Sequence, residues 1–177
     1  MRIPDRKYLW ALNAVGLRLR GMKMQFPTYV GPTLYIRNRR QIELGKRVRI
    51  WPGLRIEAYN GAKITIEDDV ALGAFCHITA AEDLVIGARS VYAGWNLITN
   101  INHSLENLEE HCLNRPWEIS PVHLGQRLFV GQGAKILPGS SLGDGTAVGA
   151  NAVVSRLDAP PNAVVAGVPA RVIRVSE

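Results

Sequence analysis

The chain has 177 residues, 47% of them hydrophobic, and carries 21 Lys+Arg against 15 Asp+Glu. That suits one domain with a sizeable core. Its two cysteines, Cys76 and Cys112, are too few for a disulfide framework and form no CxxC zinc pattern. No apolar run is long enough for a membrane span, and the start Met1-Arg2-Ile3-Pro4-Asp5-Arg6-Lys7 lacks the apolar stretch of a signal peptide, so a reducing cytoplasm is the expected setting.

Charge is spread unevenly. Residues 1–63 hold 14 Lys/Arg against 3 Asp/Glu, and the remainder holds 7 against 12. Such asymmetry suggests that one end faces an anionic surface. At the basic end, Tyr8, Leu9, Leu12, Val15 and Leu19 recur at helical spacing among Arg6, Lys7, Arg18 and Arg20. Pro4-Asp5 can start this helix and Gly21 can stop it. A basic amphipathic helix can lie on a membrane, and can equally cap a core or pack on a neighbouring subunit. Gln25 to Pro32, with two prolines and two aromatics, reads as an extended connection. Arg37, Arg39, Arg40, Lys46, Arg47 and Arg49 come without any nucleic-acid-binding motif, so no nucleic-acid partner is expected.

From Leu44 a period of six begins: Leu44, Ile50, Ile56, then a break at Tyr59-Asn60-Gly61-Ala62. It resumes at Ile66, Leu72 and Ile78, slips by two, and runs through Ile86, Tyr92 and Ile98. Between Asn100 and Pro121 it stops, and the acidic Leu105–Leu113 segment reads as a helix in an excursion loop. It is strictest in Leu124, Val130, Ile136, Leu142, Val148 and Val154, with mostly small residues four places on: Leu128, Ala134, Ser140, Thr146, Ala152. Helices return at three and four and strands at two, so a bare six fits neither. It fits a solenoid whose coil has three flat sides, one hexad per side, with coils stacked as parallel strands about 4.8 Å apart. The spacing predicts an all-β fold with a short N-terminal helix (1–41, including the connection), a solenoid over 42–159 interrupted by a loop at 100–121, and a tail at 160–177.

The hexads, with the ending Val154-Ser155-Arg156 … Pro160-Pro161-Asn162-Ala163-Val164-Val165-Ala166-Gly167-Val168-Pro169-Ala170-Arg171-Val172-Ile173-Arg174, resemble the hexapeptide acyltransferases. The likeness covers roughly residues 42–174 and is nearest to galactoside and maltose acetyltransferases and to polysaccharide O-acetyltransferases. It implies a left-handed parallel β-helix, against the usual right-handed crossover. It also implies a homotrimer, acetyl-CoA as donor with no metal, and a sugar-like acceptor.

Acyl transfer to a hydroxyl needs a base, and histidine titrates near working pH. The resemblance puts the base at the mouth of the loop, where Asn102-His103-Ser104 places His103. Of the others, His77 reads as structural, His123 points outward, and His111 has no assigned role. Glu118 is the candidate to orient the imidazole, because the family's loop glutamate would fall on Pro116. The family's acceptor-binding asparagine would fall on Gly73, so Asn100 and Asn102 become the substitute acceptor contacts. The family's donor contacts carry over onto Gln132, Ala150, Ser155, Arg156, Arg171 and Arg174, the arginines being suited to fork onto coenzyme A phosphates.

The expected function is therefore O-acetylation of a saccharide in cell-surface polysaccharide synthesis, by a cytoplasmic enzyme that could also sit on the inner face of the membrane. Three alternatives stay open: acetylation of a serine- or antibiotic-type acceptor, a gamma-type carbonic anhydrase, and a non-catalytic solenoid. The anhydrase needs three histidines on zinc, and the spacing of His77, His103 and His111 does not match.

Overall fold

The computed structural model describes residues 7–176. Helix α1 (Lys7–Leu19) buries Trp10, Ala14 and Leu17, which lie four and three apart on one side of the helix. Trp10 meets Trp51 edge-on at 5.7 Å, and the Asn13 amide donates to the Val30 and Gly31 carbonyls. The helix thus closes one end of the core. It stops before Gly21, whose φ of 97° is open to glycine at no steric cost. The expected start at Pro4-Asp5 lies outside the described residues.

The rest is a left-handed parallel β-helix of about seven three-sided coils. The first coil is Lys23–Met24, Tyr29–Val30 and Tyr35–Arg37; the second is Ile42–Leu44, Arg49–Ile50 and Arg55–Ala58. The third is Ile64–Ile66, Ala71–Leu72 and His77–Ala80; the fourth is Leu84–Ile86, Val91–Tyr92 and Leu97–Thr99. After an excursion come His123–Leu124, Phe129–Val130 and Lys135–Ile136, then Ser141–Leu142, Ala147–Val148 and Val153–Val154, then Asp158–Ala159 and Ala163–Gly167. Equivalent strands stack in register into three faces of seven, eight and six strands. The eighth strand of the second face, Ala170–Val175, folds back antiparallel on Ala163–Gly167.

The inward residues form three columns. On the first face Met24, Leu44, Ile66, Ile86, Leu124, Leu142 and Ala159 pair one above another. The six strict positions Leu124, Val130, Ile136, Leu142, Val148 and Val154 are all at most 7% exposed. Each coil alone is too short to make a core, so burial comes from like residues stacking on like.

The structure moves two boundaries and removes one expected helix. Coils begin at Lys23, ahead of the expected boundary at 42, so Gln25–Pro32 is part of the first coil and not a connection. They continue past 159, where a departing tail was expected: Val165 still sits in its column on Val148. Within the excursion, 105–113 forms turns and no helix, because Leu105, Leu108 and Leu113 find nothing to pack on and are 68–75% exposed. Arg115 reaches back to the Glu110 and Leu108 carbonyls and holds this tip together.

Candidate active site

The excursion is an arm, not a loose loop. Its base is the antiparallel hairpin Ile101–His103 and Trp117–Ile119. Thr99 receives the Ile101 N–H, and Ser104 N–H donates to the Pro116 carbonyl at 3.0 Å, closing the neck. His103 is the last residue of its strand and is exposed, facing Trp117 in register with ring centroids 6.4 Å apart. A rigid strand end holds the imidazole while leaving it open to a reactant.

Glu118 pairs with Asn102, one step from the His103–Trp117 pair. Side chains alternate across a strand, so Glu118 and Asn102 share the face opposite His103. Within one chain, then, Glu118 does not orient the imidazole. Both residues instead line a cavity of about 290 Å³ together with Thr99, Ser120, Ser155 and Arg156. Here a hairpin carboxylate and amide meet two of the expected donor contacts.

Asn100 is a correction. It is fully buried, its carbonyl oxygen accepting the Ala81 N–H and its amide donating to the Glu82 carbonyl, both at 2.9 Å. With both ends of the side chain consumed, it pins the base of the arm and has nothing left for an acceptor. Gly73 is equally closed to such a role, since a Cβ there would overlap the Ala93 carbonyl. Tight stacking of coils forbids a side chain at that place.

The other donor candidates sit at the far end of the solenoid. Gln132 and Ala150 occupy the same corner of successive coils, where the Asn151 N–H donates to the Gln132 carbonyl, and both are exposed. Ser155 and Arg156 occupy the next corner, with Arg156 in a left-handed conformation (φ 48°) lying over Gly139. Arg171 pairs with Ala166 and Arg174 with Val164. Residues three apart on a strand normally face opposite ways. A register shift between Val164 and Val165 absorbs the extra residue, so both arginines face outward on the same side. The third face separates the two donor corners, so one chain holds His103 on one flank and Arg171 and Arg174 on another.

Sequence reasoning passed over a buried charge beside the arm. Glu57 is 2% exposed and accepts hydrogen bonds from Arg55 Nε and, at 2.6 Å, from the Tyr59 hydroxyl; His77 Nε2 lies 3.2 Å away. Burial alone would raise its carboxyl, but the hydrogen bonds from Arg55, Tyr59 and His77 outweigh it and hold the group below its ordinary range. The Tyr59 hydroxyl is pushed up, by burial first and by Glu57 second. The Tyr59 ring meets Trp117 edge-on at 4.9 Å, so this cluster braces the strand opposite His103. A signal existed, because Arg55, Glu57 and Tyr59 alternate in Arg55-Ile56-Glu57-Ala58-Tyr59. Burial pushes the Cys76 thiol up to about 11, which leaves it inert. Among the described residues no group of three or more His, Cys, Asp or Glu stands close enough to hold a metal ion.

No protein-family model matches the chain. WbbJ of Escherichia coli (strain K12), provisionally named a lipopolysaccharide biosynthesis O-acetyl transferase, is 36% identical over 149 residues, 79% of this chain and 74% of that one. WcaF of the same strain, provisionally named a colanic acid biosynthesis acetyltransferase, is 30% identical over 132 residues, 75% of this chain and 68% of that one. Among solved structures, a point mutant of AntD, an N-acyltransferase from Bacillus cereus in complex with dTDP-4-amino-4,6-dideoxyglucose and coenzyme A, superposes with a TM-score of 0.81. It shares 19% identity and covers 93% of this chain and 89% of its own, a likeness of fold. With stacked hexads along the whole core and two such relatives matched over most of their length, the chain belongs to the hexapeptide-repeat acetyltransferases.

Proposed function

We propose that the protein transfers the acetyl group of acetyl-CoA to a hydroxyl of a saccharide used in cell-surface polysaccharide synthesis. The observation that carries this reading is the arm: an exposed imidazole at a strand end, with a cavity on the other face of the hairpin where Asn102 and Glu118 meet Ser155 and Arg156. In the reaction, His103 accepts the hydroxyl proton as the oxygen attacks the thioester carbonyl. The tetrahedral intermediate collapses with loss of the coenzyme A thiolate, which takes the proton back from the imidazolium. No covalent enzyme intermediate is involved. Asn102 and Glu118 face away from His103 within one chain, so they bind the acceptor's other hydroxyls from a neighbouring copy. Gln132, Ala150, Ser155, Arg156, Arg171 and Arg174 bind the donor. The names of WbbJ and WcaF support the saccharide class of acceptor.

The working unit in this proposal is a homotrimer. His103 and the tail arginines lie on different flanks of one chain, so a neighbouring copy completes the site. The apolar tip of the arm and the exposed stacked pair Phe75 and Trp95 supply surface for such contacts. Three-sided prisms pack naturally around a closed rotational axis. The two free cysteines agree with a cytoplasmic setting.

The test is release of free thiol from acetyl-CoA with a panel of acceptors, alongside light scattering. Saccharide-dependent release by a particle of three chains is expected. Release with serine or an aminoglycoside and none with saccharides would replace the acceptor class, and an active monomer would remove the shared site.

A further inference from the structure

The capped end of the solenoid carries two features that acetyl transfer does not use. The first is a second apolar face on α1. Trp10, Ala14 and Leu17 point into the core, while Tyr8, Leu12, Val15 and Leu19, spaced four, three and four apart, form a stripe on the opposite side. They are 71%, 67%, 42% and 83% exposed, and Leu19 is more exposed than any other large apolar residue described. A helix that only caps a core would be polar there. Lys7 and Arg18 border the stripe on the helix, and Arg20 follows it in the chain.

The second feature is an open cavity of about 540 Å³, lined by Arg20, Asn38, Arg39, Arg40 and Gln41 among others, with no carboxylate. Arg20 is bonded to Leu19, so the cavity opens directly from the end of the apolar stripe. The Arg40 side chain lies over Gly21, which fixes it at the same turn. Gln41 Oε1 is buried and has no hydrogen-bond partner among the described residues. Three guanidinium groups suit a phosphate.

We infer that this end docks on an anionic phospholipid bilayer. The α1 stripe enters the interface, and the arginines lining the cavity take a lipid phosphate. The observation behind this choice of partner is charge complementarity. The apolar stripe runs into a cluster of arginines at the end of the chain where basic residues predominate, and such helices bind anionic interfaces by both terms together. The geometry also places the site. The arm leaves the third face at the fourth coil, three strand spacings from the first, which is roughly 14 Å above the docked end. A saccharide anchored in the same bilayer would reach His103 by extending away from the surface.

The experiment is flotation of the purified full chain with large unilamellar vesicles of phosphatidylcholine, alone or with phosphatidylglycerol. The parent should float with phosphatidylglycerol vesicles, be released by salt, and stay behind with neutral ones. Leu12→Ser with Leu19→Ser, both exposed, should abolish flotation. Arg39→Gln with Arg40→Gln should weaken it by an order of magnitude or more, about fivefold for each arginine. Acetylation of a water-soluble acceptor should be unchanged in both variants, and flotation needs no activity, so failure here is separable from failure of the acetyl-transfer reading. Equal flotation with neutral vesicles, or none with either, overturns the inference. A stripe variant that changes the number of chains per particle in light scattering while floating like the parent would show that the stripe is a subunit contact, and would overturn it too.

Discussion

The stacked coils and the arm are built on opposite terms. In the coils the inward side chains stack in register along three columns, and the strict hexad positions are at most 7% exposed. In the arm, from Ile101 to Ile119, most residues face solvent, and the attachment rests on a few contacts at the neck. Folding therefore depends on the coils, and the arm is free to carry chemistry because little of the core depends on it. Variants should divide along that line, with losses of stability from the coils and losses of rate from the arm.

The largest effect is expected in a coil. Val148 is 1% exposed and lies in the column between Val130 and Val165. Val148→Asp buries an unpaired charge and should cost about 3–5 kcal/mol, enough to unfold much of the protein at working temperature. A melting temperature within a degree or two of the parent's would show that the column is not where stability resides. On the arm, His103→Ala should lower kcat by about 10²–10⁴. Its melting temperature should stay put, because the residue is exposed and its ring supports no buried contact. A variant that folds and acetylates near the parent rate would remove His103 from the reaction.

The same division explains what could be read in advance. A coil is a local rule repeated, so the period of six exposed the three faces and the six strict positions. The first coil escaped because its inward places include Met22, Met24 and Thr28, with Pro27 and Pro32 nearby. Thr28 fits only because its hydroxyl donates to the Gln25 and Gly45 carbonyls, a contact between coils. The arm obeys no period. The acidic segment 105–113 reads as a helix, yet no core lies beneath Leu105, Leu108 and Leu113. Asn100 looked free beside Asn102 in sequence, and only tertiary pairing with Ala81 and Glu82 shows it to be spent. That His103 stands at the foot of the arm was legible because the period stops there; its role as base was implied by the resemblance and belongs to the proposal.

The joint between the regions should show a smaller effect with a pH signature. Glu57 lies on a coil, but its cluster braces Trp117 on the arm. Glu57→Gln should cost roughly 1.5–3 kcal/mol at neutral pH, the range for hydrogen bonds to a charged group. Because the folded carboxyl titrates below its ordinary range, its stabilisation is present above the unfolded value of about 4.3 and is lost as pH falls through the lower folded one. The parent should therefore lose part of its advantage over Glu57→Gln on acidification, measured as the difference in melting temperature between pH 7 and the acid limit of folding. A gap that stays constant over that range would mean the carboxylate is not the group that matters.

The smallest effect belongs to the tail, which shares the coil's backbone and the arm's exposure. Arg171 and Arg174 face one way only because the strand bulges at Ile173, leaving Arg171 opposite Ala166 and Arg174 opposite Val164. Exposed charge pairs contribute about 0.2–1 kcal/mol each, so Arg171→Ala or Arg174→Ala should raise the KM for acetyl-CoA a few-fold. Turnover should barely change, since a phosphate contact remote from the thioester is equally strong in the ground and transition states. Added salt should narrow the gap between parent and variant. Deleting Ile173 sharpens the point. It removes the bulge but leaves Arg174 to pair with Val164 in a regular ladder, so donor binding should survive. If the deletion raises KM as much as the loss of both arginines, the bulge matters through something other than the side on which Arg174 emerges. If neither alanine variant changes KM, the arginines are solvated tail residues and the donor is held by the coils alone.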